Sequence, residues 1–339
     1  MKMLEAFKAL GCEVDLVMGL GVERCKQIKQ IKQKIKNGKK YDFVYSESST
    51  YPTMLACGVK DALKYPLMDF RFFAFCNKNS IPIGLFYRDI YWRFPELFNK
   101  PLAKKWVLNI MYQFDLYVYQ KYIAVLYLPS EKMSKYLGFD FPVLKPLPPG
   151  VSKNYLEGSR KTNQGFNNVF YVGGTNSHYG IHKLLKVVGD VPEVSLTICC
   201  REKDWQENHN SYEHLLKPNI SVVHLSGDDL IPLYENADVV SLFMEKTVYR
   251  NFAMPVKLFE YLFYQKPIIA TEGTAAGDFV EANGVGWVIP YDEKALERLL
   301  SEIKNNPEIL IEKKNQISKI LSMNTWKSRA LQVCKDLRS

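Results

Sequence analysis

Short continuous apolar runs alternate along the chain with amphipathic stretches, and glycine and proline punctuate them. Met3 to Leu10 reads as a helix stopping at Gly11, and Glu13 to Met18 as the strand after it. From Arg24 to Lys36, Ile28, Ile31 and Ile35 recur at helical spacing among lysines, which predicts an amphipathic helix ending at Gly38. Strands are predicted over 41–45, 81–87 and 125–128, with a helix over 106–119. Ser130 stands where it can cap a further helix running to Leu137. Pro142, Pro146, Pro148, Pro149 and Gly150 then fall within nine residues, too stiff and too poor in donors for a regular element, and predict a linker.

Beyond the linker the alternation restarts. Strands are predicted over 168–172, 195–199, 220–223, 237–242, 267–270 and 287–289, and helices over 181–188, 229–236 and 255–264. Continuous apolar strands between helices predict parallel sheets covered on both faces. The expected architecture is α/β, with two Rossmann-like parallel-sheet domains facing a cleft. Residues 1–149 form the first domain, completed by a terminal helix over 324–339, and residues 150–323 form the second. The cleft is the expected place for a small-molecule site. Domains of this kind open with a strand and a glycine turn, whereas this chain begins inside what reads as the first helix. The first domain is therefore expected to lack its opening strand, with a misassigned start as the expected cause.

A length of 339 residues suits two domains of about 150 each. No apolar run reaches the roughly 18 to 20 uninterrupted residues of a membrane span, and the N-terminus has no signal-peptide core. The seven cysteines include no Cys-x-x-Cys pair, which argues against a disulfide framework or a zinc site and for a reducing cytoplasm. The net charge of +9 is uneven. Residues 1–150 hold 23 basic against 13 acidic side chains, and the remainder 22 against 23. An anionic partner for the first half follows, with lipid headgroups and phosphate-bearing substrates as candidates. No helix-turn-helix or zinc-finger spacing supports nucleic acid. The helix Arg24–Lys36, and Lys100 to Lys105 beside Trp106, can rest on an anionic membrane surface, or simply be solvated.

The most informative stretch is Met254-Pro255-Val256-Lys257-Leu258-Phe259-Glu260-Tyr261-Leu262, followed by Gln265-Lys266-Pro267-Ile268-Ile269-Ala270-Thr271. Pro255 suits the first position of a helix, where a missing N–H costs nothing. The amides of Val256 and Lys257 would then face outward as an anion site. Glu260, one turn on, can accept hydrogen bonds from the vicinal hydroxyls of a sugar. This stretch resembles the donor-site signature of GT-B glycosyltransferases, especially the group 1, or family 4, bacterial glycan-assembling enzymes. The likeness extends to Val169–Gly180 with Gly173-Gly174, to Pro148-Pro149-Gly150-Val151, to Pro129–Met133, to Leu230–Val239 and to Asn324-Thr325-Trp326. It implies transfer of a sugar from a nucleotide donor, UDP- or GDP-linked, to a glycan or lipid-linked acceptor in bacterial surface polysaccharide synthesis. It further implies that Gly173, Gly174, Pro255, Val256, Lys257 and Glu260 bind the donor, with no cofactor and no metal, on the cytoplasmic side of the membrane.

The chain departs from that pattern in two places. Where many relatives carry an arginine and a lysine after the glycine loop, Thr175 and Tyr179 stand here. Arg201 and Lys257 are the expected substitutes on the leaving diphosphate, with Arg250 third. The first domain has no histidine, since all five lie at or after His178. In the place where the family often has one, the run Arg88-Asp89-Ile90-Tyr91-Trp92 offers an acceptor site. Asp89 reads as a general base, or as a partner of Arg88 or a sugar, with Tyr91 and Trp92 as a stacking wall. Retention and inversion both stay open, as do a non-catalytic GT-B protein and a nucleotide-sugar epimerase. A nicotinamide enzyme is excluded by the absence of G-x-G-x-x-G after the strand at 168–172.

Overall fold

The computed structural model describes residues 1–151, 165–176 and 179–338. The chain divides into two compact units, Met1–Pro148 with Trp326–Ser339, and Pro149–Thr325. Both are α/β with wholly parallel sheets, the class the apolar runs predict.

The first unit contains α1 (Lys2–Ala9), α2 (Gly21–Lys36), β1 (Val44–Glu47), α3 (Val59–Lys64), α4 (Met68–Lys78), β2 (Ile83–Phe86), α5 (Leu102–Tyr122), β3 (Val125–Leu128) and β4 (Leu144–Pro146). Its sheet runs β1-β2-β3-β4, with Val44 beside Ile83, Gly84 beside Val125 and Leu126 beside Leu144. Every residue of β3 is buried.

Three expectations fail here. Glu13 to Met18 forms no strand. A cavity of about 680 Å³ lies between Cys12–Gly19 and β1, so the stretch has no neighbour with which to build a ladder. Side chains tether it instead. Asp15 accepts from Lys34 at 2.6 Å and from the Tyr41 hydroxyl, and these bonds lower its carboxyl to about 2. The supposed linker contains β4, because a strand at a sheet edge needs donors on one side only and tolerates proline. After Ser130 comes a 3-10 turn, Glu131–Tyr136, and the Ser130 side chain makes no capping bond.

The second unit contains β5 (Asn168–Val172), α6 (His182–Gly189), β6 (Ser195–Cys199), α7 (Glu202–Asn208), β7 (Ile220–Val223), α8 (Ile231–Asn236), β8 (Val239–Leu242), α9 (Val256–Phe263), β9 (Ile268–Thr271), α10 (Ala275–Asn283), β10 (Gly286–Ile289), α11 (Glu293–Asn305) and α12 (Glu308–Leu321). Its sheet order is β10-β9-β8-β5-β6-β7. All residues of β8 and β9 are buried, as expected for strands covered on both faces.

The last helix, α13 (Trp326–Leu337), returns to the first unit and packs Val333 and Leu337 with Met3 and Phe7 of α1. Gly84 permits this approach, since a Cβ there would lie 2.8 Å from Leu337 and 2.8 Å from Tyr127. The chain's two crossings between units are neighbours, with the Val151 amide donating to the Asn324 carbonyl at 2.7 Å.

Candidate functional site

In the second unit the chain builds outward from β5 to β6 and β7, then returns to lay down β8, β9 and β10 on the other side. The point where the order reverses lies between β5 and β8, and parallel sheets bind ligands outside the carboxyl ends of strands at such a point. The two strands pair only at Val169–Val239 and Phe170–Val240, then part. The Tyr261 hydroxyl closes the gap, accepting from the Val172 amide at 3.1 Å and donating to the Ser241 carbonyl at 3.4 Å. Tyr261 is fully buried, and desolvation keeps its phenol protonated far above neutral pH.

Gly173 and Gly174 follow β5 at this opening. A Cβ on Gly173 would lie 2.5 Å from the Tyr171 hydroxyl, and one on Gly174 would lie 2.3 Å from the Tyr179 ring. A side chain at either position would have to displace a tyrosine. The Tyr171 hydroxyl donates to the Gly174 carbonyl at 2.7 Å, and the Gly173 amide donates to Cys199 at 3.0 Å. Ser177 and His178, in the same loop, lie outside the described residues.

Helix α9 begins on the same side of the sheet. Pro255 is not its first residue but the cap before it, with extended dihedrals of −72° and 133°. Val256, 57% exposed, and Lys257 open the helix, while the Leu258 amide already returns to the Pro255 carbonyl at 3.2 Å. The amides of Val256 and Lys257 thus lead the first turn, where an anion is favoured.

One turn deeper, Glu260 Oε2 accepts from Lys257 Nζ at 2.7 Å and from the Tyr234 hydroxyl at 3.1 Å. Tyr234 is 1% exposed and its ring stacks on Tyr264 at 4.1 Å and 10°. A rigid aromatic pair therefore aims the carboxylate, whose side chain keeps 39% of its surface exposed. Lys257, expected with Arg201 as a cation for the diphosphate, is paired with Glu260 in this structure. Three positions apart on a helix, the ammonium and the carboxylate meet on one face and compensate each other.

Arg201 caps α7 just past β6. It is exposed, and its guanidinium makes no hydrogen bond or ion pair with the described residues. Arg250 is the cation beside the glycine loop. Its guanidinium lies 5.4 Å from the Tyr179 ring centroid, and it donates to the Glu245 carbonyl. The Glu245 amide in turn donates to Gly180 at 3.2 Å. Sequence reasoning missed Tyr234, Tyr261 and Glu245. Tyr234 and Tyr261 lie in the stretches already singled out, but nothing local marks their hydroxyls as reaching across the sheet.

In the first unit the Arg88–Trp92 run follows β2. Arg88 reaches Glu47 at 3.0 Å, and Asp89 Oδ1 accepts from the Tyr91 amide at 2.9 Å, making a local turn. The Tyr91 hydroxyl lies 3.0 Å from that of Tyr112 and 3.1 Å from the Thr50 carbonyl. Trp92 is no stacking wall. It is 4% exposed, and its ring lies 4.7 Å from Tyr112 at an interplanar angle of 5°. The Arg93 guanidinium sits over the indole, and Nε1 donates to the Tyr87 hydroxyl at 3.2 Å. An indole already stacked and covered has no face for a sugar. Among the described residues no group of three His, Cys, Asp or Glu side chains is arranged to hold a metal.

Residues 155–320 match the family model described as glycosyl transferases group 1. Among solved structures, HepE of Anabaena, in complex with UDP and glucose, superposes with a TM-score of 0.62 at 14% identity, over 92% of this chain and 81% of that one. A glycosyltransferase from Rickettsia africae ESF-5 gives 0.59 at 14%, over 98% and 87%. WaaG, a glycosyltransferase involved in lipopolysaccharide biosynthesis, gives 0.59 at 12%, over 94% and 96%. No curated protein sequence matches the chain. The two parallel Rossmann-like sheets, shared with these structures, define the GT-B class. The family match lies in the second unit, whose residues 155–320 are similar to the glycosyl transferases of group 1.

Proposed function

We propose that the chain transfers a hexosyl group from a uridine or guanosine diphosphate sugar to a glycan or lipid-linked acceptor in bacterial surface polysaccharide synthesis, at the cytoplasmic face of the membrane. The observation that carries this reading is Glu260, held by Tyr234 and Lys257 one turn inside α9, the helix whose Tyr261 hydroxyl accepts from the Val172 amide just before Gly173-Gly174. In this reading the donor ribose hydroxyls hydrogen-bond to the Glu260 carboxylate. The diphosphate lies on the amides of Val256 and Lys257, with Arg201 supplying the uncommitted positive charge.

In the reaction the anomeric C–O bond breaks and its electron pair leaves with the diphosphate. An acceptor hydroxyl oxygen forms the new bond to the anomeric carbon, and its proton passes to a base. Asp89, with Arg88 and Tyr91 beside it, is the proposed acceptor-side group and proton acceptor. Helix amides and arginine do here what a divalent ion does elsewhere, so the reaction is proposed to need no metal. HepE of Anabaena, solved in complex with UDP and with UDP-glucose, supports the choice of a nucleotide sugar.

The test measures UDP and GDP binding by calorimetry for the native protein and for Glu260→Ala, with and without EDTA. Losing charge-assisted hydrogen bonds to the ribose is expected to weaken binding by about tenfold or more, since each is worth roughly 1.5–3 kcal/mol. EDTA is expected to change nothing. Release of nucleoside diphosphate from a nucleotide sugar should then depend on added membrane extract. Unchanged affinity in Glu260→Ala, or release indifferent to acceptor, would sink the proposal.

A further inference from the structure

Helix α5 is apolar on two faces. Leu108, Tyr112, Leu116 and Tyr119 are buried against the unit. On the outside Leu102, Trp106, Ile110, Phe114 and Tyr117 recur at spacings of four and three, and are 85%, 68%, 49%, 37% and 56% exposed. At 1.5 Å per residue this second stripe is about 22 Å long, far more than the scattered apolar residues of an ordinary surface. Helix α3 repeats the pattern in miniature, with Val59 and Leu63 65% and 80% exposed beside the exposed Lys60 and Lys64. Both helices pack against the same turn, Thr53–Leu55.

The exposed charges of α5 itself are all basic. Lys100, Lys104 and Lys121 stand exposed at or near the ends of α5, and the helix's single acid, Asp115, is 2% exposed. We propose that the exposed face of α5 docks on the surface of an anionic lipid bilayer. Helix α5 lies in the plane of the interface, the stripe sinks among the headgroups, and the lysines meet lipid phosphates. Trp106 and Tyr117 are the residue types that settle where an apolar body meets a wet polar layer. A second copy of the chain fits less well, because pairing two such faces crowds like-charged lysines around the contact. Among the described residues no helix is long and apolar enough to cross a membrane, which agrees with a helix lying on the bilayer rather than through it.

This goes beyond the transfer reaction and is tested without nucleotide or acceptor. The protein is floated with vesicles of phosphatidylcholine alone, or of phosphatidylcholine with phosphatidylglycerol, at low and high salt. The native chain is expected to float with the anionic vesicles only, and less at high salt. The double variant Trp106→Glu/Ile110→Glu should lose about tenfold or more in binding, and Lys104→Glu at least about fivefold, from roughly 1 kcal/mol per basic residue. All the substituted side chains are exposed, and circular dichroism checks the fold of each variant. Trp106→Ser replaces the double variant if that one misfolds. Flotation of the Trp106 variants equal to native, or binding indifferent to phosphatidylglycerol, overturns the inference. So does a dimer abolished by Trp106→Ser in a chain that never floats, since the occupant is then a second copy.

Discussion

Asp115 shows how surroundings set the charge of a single residue. It sits in α5 at 2% exposure, and burial raises its carboxyl to about 7 despite bonds from the Thr53 amide and hydroxyl at 2.8 and 3.1 Å. A folded pKa above the unfolded one means that the folded state holds the proton more tightly. The contribution is therefore fully present below about pH 4 and is lost as pH rises through about 7. Relative to Asp115→Asn, the native protein is expected to lose roughly 1–3 kcal/mol over that window, read by urea unfolding at several pH values. Parallel pH profiles would contradict it. The residues of the candidate site in α9 were legible as a group because they are local. Pro255, Val256, Lys257 and Glu260 share one helix start, and the ion pair between the last two follows from their spacing. Trp92 was misread because an aromatic beside Asp89 looks the same in sequence whether its ring faces a ligand or, as here, Tyr112.

At the scale of elements, Gly286 gives the sharpest test. A Cβ there would lie 1.9 Å from the Ile268 carbonyl oxygen, backbone of the neighbouring strand, so β10 can pair with β9 only without a side chain at that point. Gly286→Ala is expected to cost about 1–3 kcal/mol in denaturant unfolding, the range for forcing extra atoms into a packed site. Native-like stability would mean that β10 can pair in another way. Helices and buried strands of the second unit read well because each carries its own apolar periodicity. The failures share a cause. Glu13–Met18 has a strand's composition, and Leu144–Pro146 has a linker's. Whether either becomes a strand depends on a neighbour, absent for the first and supplied by β3 for the second.

For the whole molecule, each unit carries its own core, so heat unfolding is expected to depart from a single two-state transition. UDP at about a hundred times its dissociation constant should stabilise the second unit by about 2.7 kcal/mol. Hydrogen exchange followed by mass spectrometry should therefore show protection rising across β5 to α9, and little change in β1 to β4. Equal protection of both sheets would place the nucleotide elsewhere. The positive charge of the first unit and the apolar outside of α5 belong to this scale too, since neither alone marks a membrane face. The sequence by itself determined the class of fold and the helix start at Pro255-Val256, because periodicity, glycine turns and helix starts are written in neighbouring residues. The tertiary structure alone decided which apolar side chains end up buried, which strands find partners and which hydroxyls reach Glu260. Those outcomes depend on residues far apart in the chain, such as Tyr234 and Glu260, or Gly84 and Leu337, and no local pattern records their meeting.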